Sequence, residues 1–263
     1  MPLFLLVDAF FGPHCQYLEG NLSRDSSGAR SASLATRITN RLRRAILDAE
    51  FGLGEALSED KLSASFGCSR TPVRDSLTGL QIEGLIDIKP QRGSFVFMPN
   101  ANDVAQLCEI RSILEVAALR LSVVRNKETT LARLRKATDD MEVAKAAGDF
   151  LSVSHADTEF HLALVESSDN KYLIEAFRLA SGRVVAIRSH VLLAVGDIRT
   201  RSMQEHRAII EAIESGNLAQ AESTLAVHIS MALEAFNMAR EAGFLTLQQG
   251  RRDSAIDVSL DDV

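Results

Sequence analysis

The feature that most constrains the fold is a helical pattern running from Asp103 to about Ala242 with only five short interruptions. Apolar residues recur at three- and four-residue spacing, as one face of a helix requires. The interruptions are Asn126-Lys127, Gly148-Asp149, Ser168-Asp169-Asn170, Gly196-Asp197 and Gly216-Asn217, all built from residues that stop or cap helices. Six helices are expected, at 102–126, 128–147, 149–167, 170–195, 200–215 and 217–242. Short connections make neighbours antiparallel, so this part reads as an all-α antiparallel bundle.

Within it, HADTEFH (155–161) places two histidines, an aspartate and a glutamate close together. At 100° per residue, Phe150, Val153, Asp157, Phe160, His161 and Leu164 share one face; His155, Glu159, Leu162 and Glu166 share the other. His155–Glu159 therefore reads as a solvated pair, while Asp157 and His161 stand in the core stripe. A carboxylate there is costly unless paired, and by this helix alone the two could simply satisfy each other. Two later helices change the balance. His206 lies on a face with Met203, Ile209, Ile210 and Ile213, and His228 on a face with Ala221, Leu225, Ala232 and Ala235. Both lie about ten residues from the Gly216-Asn217 turn, so an antiparallel hairpin brings them level. Three inward imidazoles and one carboxylate suit a divalent metal ion such as Zn²⁺, Ni²⁺ or Mn²⁺ in the bundle core.

The N-terminal part has a different rhythm. Residues 34–47 and 58–67 read as helices, the second capped by Ser58. CSRTPVRDSLTGLQIEGL (68–85) reads as a third, with Thr71 as its N-cap, Pro72 at the first helical position and Val73, Leu77 and Leu80 inward. IDIKPQRGSFVFM (86–98) reads as two strands turning near Gln91-Arg92-Gly93. Three helices and a two-stranded hairpin are the layout of a winged helix-turn-helix. The third helix then presents Arg70, Thr71 and Arg74 at the end that meets base edges in the major groove. The Thr71 hydroxyl and the free N–H groups of that end can hold a phosphate. Taken singly, either arginine reads as an ordinary surface residue; cap, spacing and wing together point to DNA.

Charge supports this division. The net charge is −6, but residues 34–98 hold nine Lys/Arg against eight Asp/Glu, and residues 101–243 hold sixteen against twenty. Arg37, Arg41, Arg43 and Arg44 cluster on the first helix. Cys15, Cys68 and Cys108 are scattered and odd in number, which fits a reducing cytoplasm rather than a disulfide framework. No apolar run reaches the roughly 18 residues of a membrane span. MPLFLLVDAFFG has the look of a short signal segment, but it lacks a basic start and Asp8 interrupts it. The expected organisation is a flexible tail (1–33), a winged helix-turn-helix (34–98), a linker (99–102), a helical domain (103–243) and a disordered tail (244–263).

LSEDKLSASFGCSRTPVRDSLTGLQIEGLIDIKPQRGSFV closely resembles the DNA-binding domain of GntR-type bacterial transcription regulators. EIRSILE (109–115), DTEFH (157–161), the helix start at Asn170, EHRAII (205–210) and LAVH (225–228) resemble the FCD ligand-sensing domain of that family's FadR subfamily. The resemblance implies that Ser69, Arg70, Thr71 and Arg74 contact an operator duplex, with Arg92 and Gly93 from the wing. It implies that Asp157, His161, His206 and His228 ligate a metal, and that a small organic acid binds beside it. Arg111, at the EIR position, is a candidate to hold the acid's carboxylate; Arg188 is a weaker one, a helix-surface role being the plainer reading. It further implies a homodimeric, cytoplasmic repressor with no membrane contact. One departure stands out: Glu59 is followed by Asp60 where many relatives carry a basic residue, with Lys61 a partial substitute.

The same ligand set could support metal-assisted hydrolysis. However, the chain has no HExxH, GxSxG or glycine-rich phosphate loop, and no further inward carboxylate stands beside Asp157 as a base. A third reading is a purely structural metal with no effector.

Overall fold

The computed structural model describes residues 33–194 and 198–245. The terminal tails and the Gly196-Asp197 break fall largely or wholly outside these residues. The described residues divide into two compact units, the first ending at Phe97 and the second beginning at Met98.

In the first unit, α1 (Leu34–Leu47), α2 (Glu59–Ser65) and α3 (Arg70–Ile82) pack around Ile38, Leu42, Ile46, Leu62, Leu77 and Leu80, all essentially without solvent exposure. The sheet has three strands in the order β1-β3-β2: β1 (Ala56–Leu57), β2 (Ile86–Lys89) and β3 (Gly93–Val96). The two-residue β1, absent from the sequence reading, pairs antiparallel with β3, Ala56 opposite Phe95 and Leu57 opposite Ser94. A strand this short has no alternation to detect. The hairpin turn holds Gln91 at φ +59° and Gly93 at φ +103°, the latter a conformation that glycine alone adopts readily.

The start of α3 and the arginines of α1 differ from the sequence pattern. The N-cap of α3 is Ser69, not Thr71; Ser69 is extended (φ −75°, ψ 166°) and Thr71 already lies inside the helix, with Pro72 after it in the first turn. Proline is tolerated anywhere its N–H would lack an intrahelical acceptor, so it marks the first turn rather than its first residue. The arginine cluster of α1 is not an open basic surface either. Arg41 pairs with Glu50 at 2.8 Å, and Arg43 is buried with Nε and Nη2 on Glu83, at 2.8 and 2.5 Å, and Nη1 on Asn40 Oδ1 at 2.7 Å.

The second unit contains only helices among its described residues: α4 (Ala101–Ala146), α5 (Phe150–Ser167), α6 (Lys171–Ala194), α7 (Ile198–Glu214) and α8 (Leu218–Glu241). α4 starts at an Asn100/Asp103 capping box and is broken at Asn126 (φ −144°, ψ 41°). The break is pinned: Asn126 Nδ2 donates to Ser167 O (3.0 Å) and Arg125 Nη1 to Ser168 O (2.6 Å), satisfying carbonyls at the end of α5. Asp149 and Asn217 cap α5 and α8. The core joins Leu119, Leu134, Phe160, Leu164, Ile209, Ile213, Leu225 and Ile229. α5 is enclosed by α4 and α6 rather than half-exposed. Leu162, assigned to the outer face, is therefore 1% exposed, while His155 on that face is exposed. Among the described residues no helix is long and apolar enough to cross a membrane.

Candidate functional site

The exposed surface of the first unit carries the residues expected to meet DNA. Ser69, Arg70, Thr71 and Arg74 are exposed at the start of α3, and Arg92 and Gly93 are exposed in the β2–β3 turn. The helix has no acidic residue in its first turn, and Ser69 makes no side-chain cap bond, so the positive end of the helix is left for an external anion. Two of these arginines are paired with acids, a pairing the sequence alone did not indicate. Asp60 Oδ1 lies 2.5 Å from Arg70 Nε, and Glu59 accepts from Arg74 Nη2 at 2.8 Å and Nε at 3.3 Å. The Arg74 contact holds the Glu59 carboxyl below its usual range. The departure at Asp60 therefore places an acid against one of the arginines expected to meet DNA.

In the second unit, α5 contributes Asp157 and His161, α7 contributes His206 and α8 contributes His228. The four offer ligand atoms that all lie within 4.8 Å of one another. His228 Nε2 stands 3.2 Å from both His206 Nε2 and His161 Nε2. Asp157 Oδ2 is 3.6 Å from His161 Nε2, and Oδ1 is 3.6 Å from His206 Nε2. Imidazoles sharing one ion at about 2.0–2.1 Å stand about 3.0–3.4 Å apart, so the spacing fits a metal.

Hydrogen bonding strengthens the fit. His161 Nδ1 faces Glu115 Oε2 at 2.5 Å, and His228 Nδ1 faces Glu205 Oε2 at 3.0 Å. A carboxylate accepts, so each Nδ1 carries the hydrogen and each Nε2 of a neutral ring presents a lone pair. Burial lowers the pKa of all three histidines; that of His228 falls to about 4 despite Glu205, and neighbouring histidines lower His206 further. The rings are neutral near pH 7, so the Nε2 atoms of His161 and His228 turn lone pairs toward each other without a hydrogen between them. A cation at their meeting point removes that conflict. His206 is held differently: its ring stacks on Phe160, centroids 3.7 Å apart and 5° from parallel, and its buried Nδ1 has no partner among the described residues.

From the sequence, no further inward carboxylate is expected beside Asp157; the structure overturns this, bringing Glu115 and Glu205 against two of the cluster's histidines. Glu115 has no exposed surface, and burial alone would raise its pKa, but Arg111 and His161 hold it down to about 2. Its only sequence signal was the i, i+4 spacing from Arg111, whose Nε donates to Glu115 Oε1 at 2.7 Å. Glu205 takes Arg201 at 3.0 Å on its other oxygen.

Arg111 and Arg188 both line a cavity of about 90 Å³ beside the cluster. Arg111 is 5% exposed, and its Nη1 and Nη2 make no hydrogen bond to the described residues, leaving that edge to the cavity. Arg188 is not the surface arginine of the plainer reading. It turns inward, donating to Asp157 and to Thr158 Oγ1 (2.7 Å), with its side chain 16% exposed.

Comparison with known proteins gives two family matches. Residues 34–96 match the model for bacterial regulatory proteins of the gntR family, and residues 106–231 match the FCD domain. An HTH-type transcriptional regulator of an unstable DNA locus in Streptomyces ambofaciens is 30% identical over 72% of this chain and 79% of its own length. The HTH-type transcriptional regulator LutR of Bacillus subtilis is 29% identical over 70% of this chain and 93% of its own. A solved structure of a GntR transcriptional regulator from Rhodococcus sp. RHA1 superposes with TM-score 0.68 and 27% identity, covering 79% of this chain and 99% of that one.

Proposed function

The chain belongs to the GntR family of bacterial transcriptional regulators and carries an FCD domain, and from this premise we propose that it is a metal-dependent acid sensor that represses from its operator. Its relatives are regulators of transcription, not enzymes. Asp157, His161, His206 and His228 hold a divalent ion of the Zn²⁺, Ni²⁺ or Mn²⁺ type. When bound, that ion supplies a Lewis-acidic centre on which an acid's carboxylate can rest. Arg111 offers the free guanidinium edge for that carboxylate, a charge-assisted contact suited to two parallel hydrogen bonds. Arg188 donates to Asp157 and closes the same polar corner. Glu115 and Glu205 orient the imidazoles.

The observation that carries this reading is the pair of Nε2 lone pairs on His161 and His228, turned together by Glu115 and Glu205. Two such chains pair as a homodimer, and their heads read a near-palindromic site through Arg70, Arg74, Ser69 and Thr71, with Arg92 and Gly93 against the backbone. The acid releases DNA only if it binds one arrangement of the dimer better than the other.

Elemental analysis of the purified full-length protein tests the metal assignment. About one ion per chain is expected, and little in a His206→Ala, His228→Ala double variant; full occupancy of the variant removes these ligands from consideration. Sequence-specific operator affinity that survives Arg70→Ala with Arg74→Ala at fixed salt would remove the DNA assignment.

A further inference from the structure

The cavity beside the four-ligand cluster says more about the acid than that it has a carboxylate, and this inference rests on the acid-sensing reading above. Most of its polar groups are already partnered with one another. Arg188 is committed to Asp157 and Thr158, Glu205 to His228 and Arg201, and Ser202 Oγ donates to Asp157 Oδ1 at 3.2 Å. Of the described side chains there, Arg111 keeps a buried open edge; Arg188 keeps only its Nε, and Arg201, bonded through Nε to Glu205, is more than half exposed.

Apart from the Cys108 thiol and the Met231 thioether, the rest of the lining is hydrocarbon. α6 presents Val184, Ile187 and Val191, and α8 presents Met231, Ala232 and Ala235. Five are aliphatic and the sixth a thioether, and none can donate a hydrogen bond. The peptide groups behind them are spent within their helices. Valine and isoleucine on a helix are also stiff, so this wall does not readily turn a polar atom toward a ligand.

We infer that the effector is a monocarboxylate with an apolar tail, its head on Arg111 and the metal and its tail on the Val184–Ile187–Val191 wall. A second carboxylate or a run of hydroxyls would lose water against this wall and find no partner there. Size points the same way. A cavity of about 90 Å³ admits roughly six to nine water-sized groups at about 10–15 Å³ each. That is the scale of a short aliphatic, branched or single-ring aromatic acid.

Calorimetry on the full-length, Zn²⁺-loaded protein tests this with acids of similar size: hexanoate, erythronate and succinate, with acetate as the head alone. Hexanoate is expected to bind at least about tenfold more tightly than erythronate or succinate. It should also bind with a negative heat-capacity change, the mark of apolar burial. In a Val184→Thr, Val191→Thr variant, which keeps the wall's shape while adding hydroxyls, the preference should shrink severalfold. Erythronate or succinate binding as tightly as hexanoate overturns the tail assignment and leaves the acid sensor standing. If no acid binds the metal-loaded protein, acetate included, both readings fall. A preference unchanged in the threonine variant removes the wall from the explanation even if hexanoate binds best.

Discussion

Glu115 and His161 share a 2.5 Å hydrogen bond across two helices, at a point where the carboxylate has no exposure and the imidazole 3%. The same carboxylate receives Arg111 on its other oxygen. The residue that aims His161 into the four-ligand cluster thus also holds the arginine proposed for the effector.

Glu115→Gln should therefore lower metal affinity about 10- to 100-fold, the usual cost of losing a partner behind a histidine ligand. Competition with a chelating dye measures it. The variant also leaves the buried Arg111 without its counter-charge, so a lower melting temperature is expected alongside. Unchanged affinity would show that His161 is aimed by packing alone.

Removing metal should destabilise the second unit selectively. At a free ion concentration of about 100 times the dissociation constant, binding contributes about 2.7 kcal/mol. For a domain of this size that corresponds to about 5–10 °C in melting temperature. Scanning calorimetry with and without chelator should show the shift in the wild type and lose most of it in Asp157→Ala. A chelator-insensitive transition would count against the site.

Asp60→Asn should tighten binding to DNA of arbitrary sequence a few-fold at low salt. The substitution removes a negative charge facing the phosphates and frees Arg70. Both partners are more than half exposed, so the effect should fade as salt screens it. Fluorescence anisotropy on a random duplex across a salt series reads it directly, and weaker binding would mean that Asp60 serves to orient Arg70.

Glu83→Ala should cost about 3–5 kcal/mol in the DNA-binding unit. It strands Arg43, whose side chain is 3% exposed and donates twice to Glu83. Denaturant unfolding should show an early transition for this unit while metal binding in the other persists.

Ala49→Gly should stabilise the same unit by about 1 kcal/mol. Ala49 follows α1 at φ +59°, and the next residue closes the helix end through Glu50 N–H to Ala45 O at 2.9 Å. This is the left-handed position where glycine is preferred. A shift in the unfolding midpoint toward higher denaturant is the expected readout.

The sequence by itself determined the helices and the faces that carry the four ligands. Gly148, Asp149, Asn217 and the Asn126 break mark ends that capping chemistry settles locally, and periodicity alone turned Asp157, His161, His206 and His228 inward. The tertiary structure decided partnership. Periodicity assigns a face but does not say which distant side chain meets it. Glu115 was visible only as a residue one turn beyond Arg111, and its bond to His161 spans 46 positions. Arg188 reads as a surface residue until α6 packs on α5 and Asp157 draws it in. Arg41 and Arg43 read as basic surface until Glu50 and Glu83 neutralise them. In each case a charge leaves water only when folding brings its counter-charge to it, and that pairing is set by how helices pack, not by the order of residues along any one of them.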